Sequence, residues 1–87
     1  MWTVSTRKAA LKSLARAQGK ERRQVWEALD EMRADPMSGD VLPLAGERSA
    51  FRRRVGHWRL FFDLDPARRV VDVVAIARRT STTYRKR

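Results

Sequence analysis

Residues 51–62, Phe51-Arg52-Arg53-Arg54-Val55-Gly56-His57-Trp58-Arg59-Leu60-Phe61-Phe62, constrain the fold more than any other stretch of this 87-residue chain. Two alternating segments flank Gly56-His57, and glycine supplies the positive φ that a two-residue hairpin loop needs. Strand side chains alternate between faces, so Phe51 and Val55 share one side of the first strand, residues 50–55, and Arg52 and Arg54 the other. In the second strand, residues 58–64, Trp58, Leu60, Phe62 and Leu64 point inward while Arg59, Phe61 and Asp63 point outward. Outward residues of adjacent strands are neighbours, which gathers Arg52, Arg54 and Arg59 on one face. Arg53 breaks the pattern. It falls on the apolar side, which requires either a guanidinium snorkelling at the sheet margin or a register displaced by one residue.

The rest of the chain supplies a partner layer. Trp2-Thr3-Val4 favours an extended conformation, after which Ser5 or Thr6 can cap a helix through its hydroxyl. Over residues 6–18, Ala10, Leu11, Leu14, Ala15 and Ala17 fall mostly on one helical side, with Lys8, Lys12 and Arg16 opposite. Gly19 suits the left-handed residue that ends a helix. A second helix over residues 20–34 carries Val25, Leu29 and Met32 at helical spacing and stops at Asp35-Pro36, since proline disfavours the helical conformation of its predecessor. Residues 35–48 read as a loop anchored by Val41, Leu42 and Leu44. Asp65-Pro66-Ala67-Arg68-Arg69 turns the chain into a third hairpin-region strand, residues 70–77, apolar enough on both faces for a central position. The expected order is β-α-α-β-β-β in an α+β domain spanning residues 1–87, a mostly antiparallel sheet packed by a two-helix hairpin, with a short C-terminal helix or tail.

Charge narrows the class of partner. Formal net charge is +10, distributed as +4 over residues 6–34, −2 over 35–46 and +8 over 47–87. Such a field attracts nucleic acid, anionic lipid or an acidic protein before any specific contact forms. Cysteine is absent, which excludes disulfides and thiolate metal sites. The apolar run over residues 70–77 is too short to span a bilayer, and the N-terminus lacks an apolar signal core, so the expected location is the cytoplasm. A chain of this length buries roughly 60% of its unfolded surface and builds one modest core.

Each candidate residue has a structural reading beside the functional one. Arginine-rich strands are commonly solvated faces. His57 reads as a turn residue beside glycine, and Trp26 as core. Phe51, Trp58, Phe61 and Phe62 read as core, with Phe61 the one most able to stack on a base. Asp63 and Asp72 sit on separate strands amid apolar residues and do not amount to a metal site.

In its order of pieces the chain resembles the RelE/ParE superfamily of type II toxin–antitoxin toxins, and the RelE-like ribosome-dependent mRNA interferases in particular. The resemblance rests on Trp2-Thr3-Val4 before a helical hairpin, Asp35-Pro36 with Asp40-Val41-Leu42-Pro43-Leu44-Ala45-Gly46, then Arg54 through Phe62, and Arg78-Arg79 followed by Tyr84. It implies a small α+β sheet carrying the helical hairpin on one side. It also implies, position by position, that Arg52, Arg54, Arg59, Arg79 and Tyr84 surround a scissile phosphate, with Arg59, Arg79 and Tyr84 catalytic. Arg52 and Arg54, joined by the neighbouring Arg78 and Arg85, are the phosphate-binding candidates. Arginines stand at the first-strand positions where lysine is common in that family, turning a point charge into a fork.

Metal-free, cofactor-free RNA cleavage requires the 2′-OH to lose a proton, the 5′-oxygen to gain one, and donors for the charge growing on phosphorus. Arginine forks suit the third task. Tyr84 is the candidate base, since surrounding guanidinium groups favour its phenolate. Arg79 is the candidate donor to the leaving group or to a non-bridging oxygen. The implied activity is translation inhibition by cutting mRNA in the ribosomal A site, with the ribosome, mRNA and a cognate antitoxin as partners, the last through a largely disordered, acidic or amphipathic segment, and with no membrane. One alternative on the same fold is a ParE-like, non-enzymatic inhibitor of DNA gyrase, a branch that generally lacks the terminal arginine–tyrosine pair; another is a degenerate, non-toxic nucleic-acid-binding relative.

Overall fold

The structure, a computed structural model, describes residues 1–45 and 49–79. Its elements are β1 (Thr3–Thr6), α1 (Lys8–Ala15), α2 (Gly19–Ala34), β2 (Asp40–Pro43), β3 (Phe51–Val55), β4 (Trp58–Asp65) and β5 (Val70–Arg78). The five strands form one sheet in the order β1-β5-β4-β3-β2. Only the β1–β5 pair is parallel. The expected C-terminal helix or tail lies outside the described residues.

The core is one layer between the helices and one face of the sheet. Ala10 and Leu14 of α1, and Val25, Ala28, Leu29 and Met32 of α2, are buried with Trp58, Leu60 and Phe62 of β4 and Val71, Val73 and Ile76 of β5. α1 lies over β5, and α2 reaches β1 and β3. On β4 the inward residues are those that period-two alternation selects. On β5 the alternation breaks, because the partner of Phe61 is Ala75 and that of Phe62 is Val73, leaving Val74 as the extra residue of a bulge. The bulge reverses side-chain parity, which is how Val71, Val73 and Ile76 all reach the core. It also explains why this segment is apolar on both faces.

The structure corrects four expectations. The stretch read as a loop contains a strand, β2, which pairs with β3 at the sheet edge. Pro43 fits there because an edge strand leaves N–H positions unpaired. Ser5 and Thr6 do not cap α1; they stay in the ladder beside Asp72 and Val73, the Arg7 N–H donates to the Val73 carbonyl at 3.0 Å, and the N-cap falls on Arg7 without a side-chain bond. Gly19 has positive φ, yet it opens α2 rather than closing α1. The carbonyl of Ala17, near the end of α1, is instead closed by Arg22, whose Nε and Nη2 donate to it at 3.1 and 3.0 Å. Finally, Trp26 is half exposed rather than core. It shares a shallow surface with Val4, Thr6, Leu29, Asp30 and Arg33.

Arg53 resolves the question of register. Its partner across the β3–β4 hairpin is Leu60, so it points into the helix side in the frame the alternation predicts. There it is 7% exposed. Its Nη2 lies 2.6 Å from Glu31 Oε1, and Nη1 donates to the Ala28 carbonyl and to Ser38 Oγ at 3.3 Å each. A buried guanidinium is tolerated because a carboxylate and two further acceptors replace its water.

Candidate nucleic-acid interface

The side of the sheet opposite the helices carries the arginines. Arg54 and Arg59 are directly opposite across the β3–β4 hairpin, and Arg52 faces Phe61 two pairs further along, on the same face. Gly56 (φ 59°) opens the two-residue turn between them, the position that a type II′ hairpin reserves for glycine. His57, exposed, completes that turn. On the β5 side, Ala77 pairs with Arg59 and Ala75 with Phe61, a consequence of the bulge. These small side chains add no bulk beside the arginines. Arg79 arrives at the same end, its N–H donating to the His57 carbonyl at 2.6 Å.

Four of the seven candidate residues therefore come together around the β3–β4 turn: Arg52, Arg54 and Arg59 by cross-strand pairing, and Arg79 by its backbone bond to the turn. Arg78 is placed apart from them. It pairs with the buried Trp58 and extends to the helix side, where its Nη2 lies 3.6 Å from Glu21 Oε2. Tyr84 and Arg85 lie outside the described residues.

The arginine face has its own anions. Asp40 of β2 sits opposite Arg54; its Oδ2 is 3.4 Å from Arg54 Nε and its Oδ1 is 3.8 Å from Arg52 Nη1. Arg52, held in register between Leu42 and Phe61, has a side chain only 11% exposed, and its Nη1 makes no hydrogen bond. Farther from the turn, Asp63 and Asp72 face each other. Their repulsion is relieved from outside the pair. Asp63 accepts the Ala50 N–H at 2.7 Å, and Asp72 accepts Arg7 Nε and Nη2 at 3.2 and 2.7 Å. The bond to Asp72 and its charge raise the pKa of Arg7 above its ordinary value.

On the helix side, Glu21 accepts the Trp58 indole N–H at 2.9 Å. That bond, followed by the charges of Arg78 and His57, outweighs desolvation and holds the carboxyl below the ordinary 4.5. A cleft of about 1030 Å³ opens here between the helical hairpin and the ends of β4 and β5, lined by Arg16, Lys20, Glu21, Trp58, Ile76 and Arg78 among others. This groove lies on the side opposite Arg52, Arg54 and Arg59.

Sequence reasoning missed Asp40 and the inward fixing of Arg53. The signal for the first was present in Val41 and Leu42, a short apolar pair between Gly39 and Pro43 that places Asp40 at the start of a strand.

No protein-family profile matches the chain, and no curated protein sequence matches it. Solved structures do match. A chain of the archaeal RelE–RelB complex from Pyrococcus horikoshii aligns with a TM-score of 0.79 at 21% identity, covering 92% of this chain and 97% of that one. The fold is the RelE fold. A chain of the RelBE2 toxin–antitoxin complex of Mycobacterium tuberculosis aligns at 0.77 and 22% identity, over 90% of this chain and 98% of its own. The isolated RelE toxin of E. coli aligns at 0.76 and 20%, over 97% and 92% respectively. Nearly the whole of each chain is covered, so the RelE likeness extends to the sheet order and the helical layer rather than to one hairpin. Among the described residues, no helix is long and apolar enough to cross a membrane.

Proposed function

We propose that this chain is the toxin of a type II toxin–antitoxin system and acts as a ribosome-dependent mRNA endonuclease. The observation that carries the reading is the sharing of one sheet face, opposite the helices, by Arg52, Arg54 and Arg59, with the backbone of Arg79 bonded to their hairpin turn. Support for the toxin class comes from the RelE fold, shared with an isolated toxin and with toxin–antitoxin complexes.

Arg52 and Arg54 bind phosphates on either side of the scissile bond. Arg59 binds the reacting phosphate, and its fork gains strength as charge develops on the phosphorane. Tyr84 takes the proton from the 2′-OH, whose oxygen then attacks phosphorus; the P–O5′ bond breaks, leaving a 2′,3′-cyclic phosphate and a 5′-hydroxyl. The 5′-oxygen takes a proton from water as it leaves, with Arg79 donating a hydrogen bond to it or to a non-bridging oxygen. Proton transfer by a positioned group contributes typically about 10²–10⁴-fold, and the arginines assist it by drawing the phenol toward its ionised form. The ribosomal A site places the mRNA. A cognate antitoxin with an acidic, initially disordered segment silences the enzyme by folding on the basic surface, and the toxin works in the cytoplasm.

Induced expression followed by mapping of transcript ends tests this reading. Breaks recurring with codon periodicity are the expected result. Intact transcripts together with stabilised gyrase–DNA breaks would replace it with the ParE-like alternative.

A further inference from the structure

We infer that Asp40 is an internal counter-ion to the RNA-binding arginines, which an incoming phosphate must displace from Arg52 and Arg54. The inference rests on the RNA-binding reading of the arginine face and adds a residue that sets its selectivity. One carboxylate serves two guanidinium groups, with Oδ1 3.8 Å from Arg52 Nη1 and Oδ2 3.4 Å from Arg54 Nε. Neither contact is a hydrogen bond of good geometry, so both forks remain able to accept a better-placed anion. Arg52 Nη1 is buried and makes no hydrogen bond, while the Asp40 side chain is 57% exposed. The carboxylate therefore lies toward solvent and is replaceable. A phosphate offers more oxygens to the same forks.

The placement of Asp40 is fixed from the opposite side of the sheet. Arg53 is anchored by Glu31, Ser38 and the Ala28 carbonyl, and its guanidinium packs against Gly39 so closely that a Cβ there would lie 2.8 Å from Nε. Gly39, at φ 80°, is the residue immediately before Asp40. An inward arginine thus holds the turn that aims the carboxylate at two outward ones. Other carboxylates on that face are already engaged: Asp63 by the Ala50 N–H, Asp72 by Arg7, and Asp65, at the far end of β4, by the Arg68 N–H. Partial neutralisation of a phosphate site weakens loose binding to any RNA and leaves tight binding to substrates that are held in place by other means, such as a ribosome-bound message.

Binding of a fluorescent, 2′-O-methylated, mixed-sequence single-stranded RNA to the full chain, titrated between about 50 and 200 mM salt, tests this. Asp40→Asn should tighten binding about fivefold, the equivalent of about 1 kcal/mol for a charge pair near 4 Å in water. It should also steepen the salt slope by about 0.7, one additional phosphate contact. Asp30→Asn is the control: it removes the same charge from an exposed site on α2, where Asp30 pairs only loosely with Arg33 at 3.9 Å. Thermal melting checks that each variant is folded. Asp40→Asn matching Asp30→Asn, or binding more weakly than the parent, would overturn the inference while Arg54→Ala still loses affinity. Unchanged binding by both Arg54→Ala and Arg59→Ala would remove the RNA-binding face, and the inference with it.

Discussion

Arg53 is a cation on the apolar side of β3, and it keeps its charge because α2 presents Glu31 at 2.6 Å. Arg54, the next residue, points the other way and meets Asp40 and Arg59. Adjacent identical residues thus belong to different environments, one buried and one on the open face of the sheet, separated by the thickness of a strand. Glu21 shows the same local logic on the helix side. Its carboxyl is held below the ordinary 4.5, first by the Trp58 indole N–H and then by Arg78 and His57. A depressed folded-state pKa contributes stability that is full above the unfolded value and lost as pH falls through the folded one. Stability should therefore decline below about pH 4.5 more steeply in the parent than in Glu21→Gln. Thermal melts at a series of acid pH values measure this; parallel declines would show that the Glu21–Trp58 bond contributes no proton linkage.

At the scale of elements, the β3–β4 hairpin was legible because alternation and Gly56 agree, and the pairing of Arg54 with Arg59 follows from it. β2 was not, because four residues that include Asp40 and Pro43 carry weak strand preference, and the edge forms only by borrowing the ladder of β3. β1 ran on through Ser5 and Thr6 because parallel pairing with β5 outcompeted a helix cap, a long-range effect that no local signal carries. The bulge at Val74 has the same origin, since an apolar run cannot announce where its parity reverses. Arg53 looked like a fault in the pattern because its partners, Glu31 and Ser38, are 22 and 15 residues away. Gly39 is the test of that tether. Gly39→Ala should cost about 1–3 kcal/mol in denaturant unfolding, from positive φ and from collision of the new Cβ with the Arg53 guanidinium. Combined with Arg53→Met, part of the loss should be recovered, since only the collision is removed. Full additivity of the two losses would mean that the contact carries no energy.

For the whole molecule, the division of labour is between two sides of one sheet. The helical side holds the core, the Arg53–Glu31 tether and the cleft at Glu21, Trp58 and Arg78. The opposite side holds Arg52, Arg54 and Arg59, with Arg79 at its turn. Net charge indicated a polyanion partner, and strand parity indicated which arginines would share a face. Arg78 escaped parity reasoning because the bulge shifts every β5 side chain beyond it. The most direct measurement of the nuclease reading is cleavage of a defined message in a translating extract, with 5′-ends mapped, by the parent, Arg59→Ala and Tyr84→Phe. The parent should cut within the ribosomal A site, while both variants lose at least about 100-fold in rate and melt as folded proteins. Parent-like cutting by both folded variants, or no cutting by the parent, would contradict it.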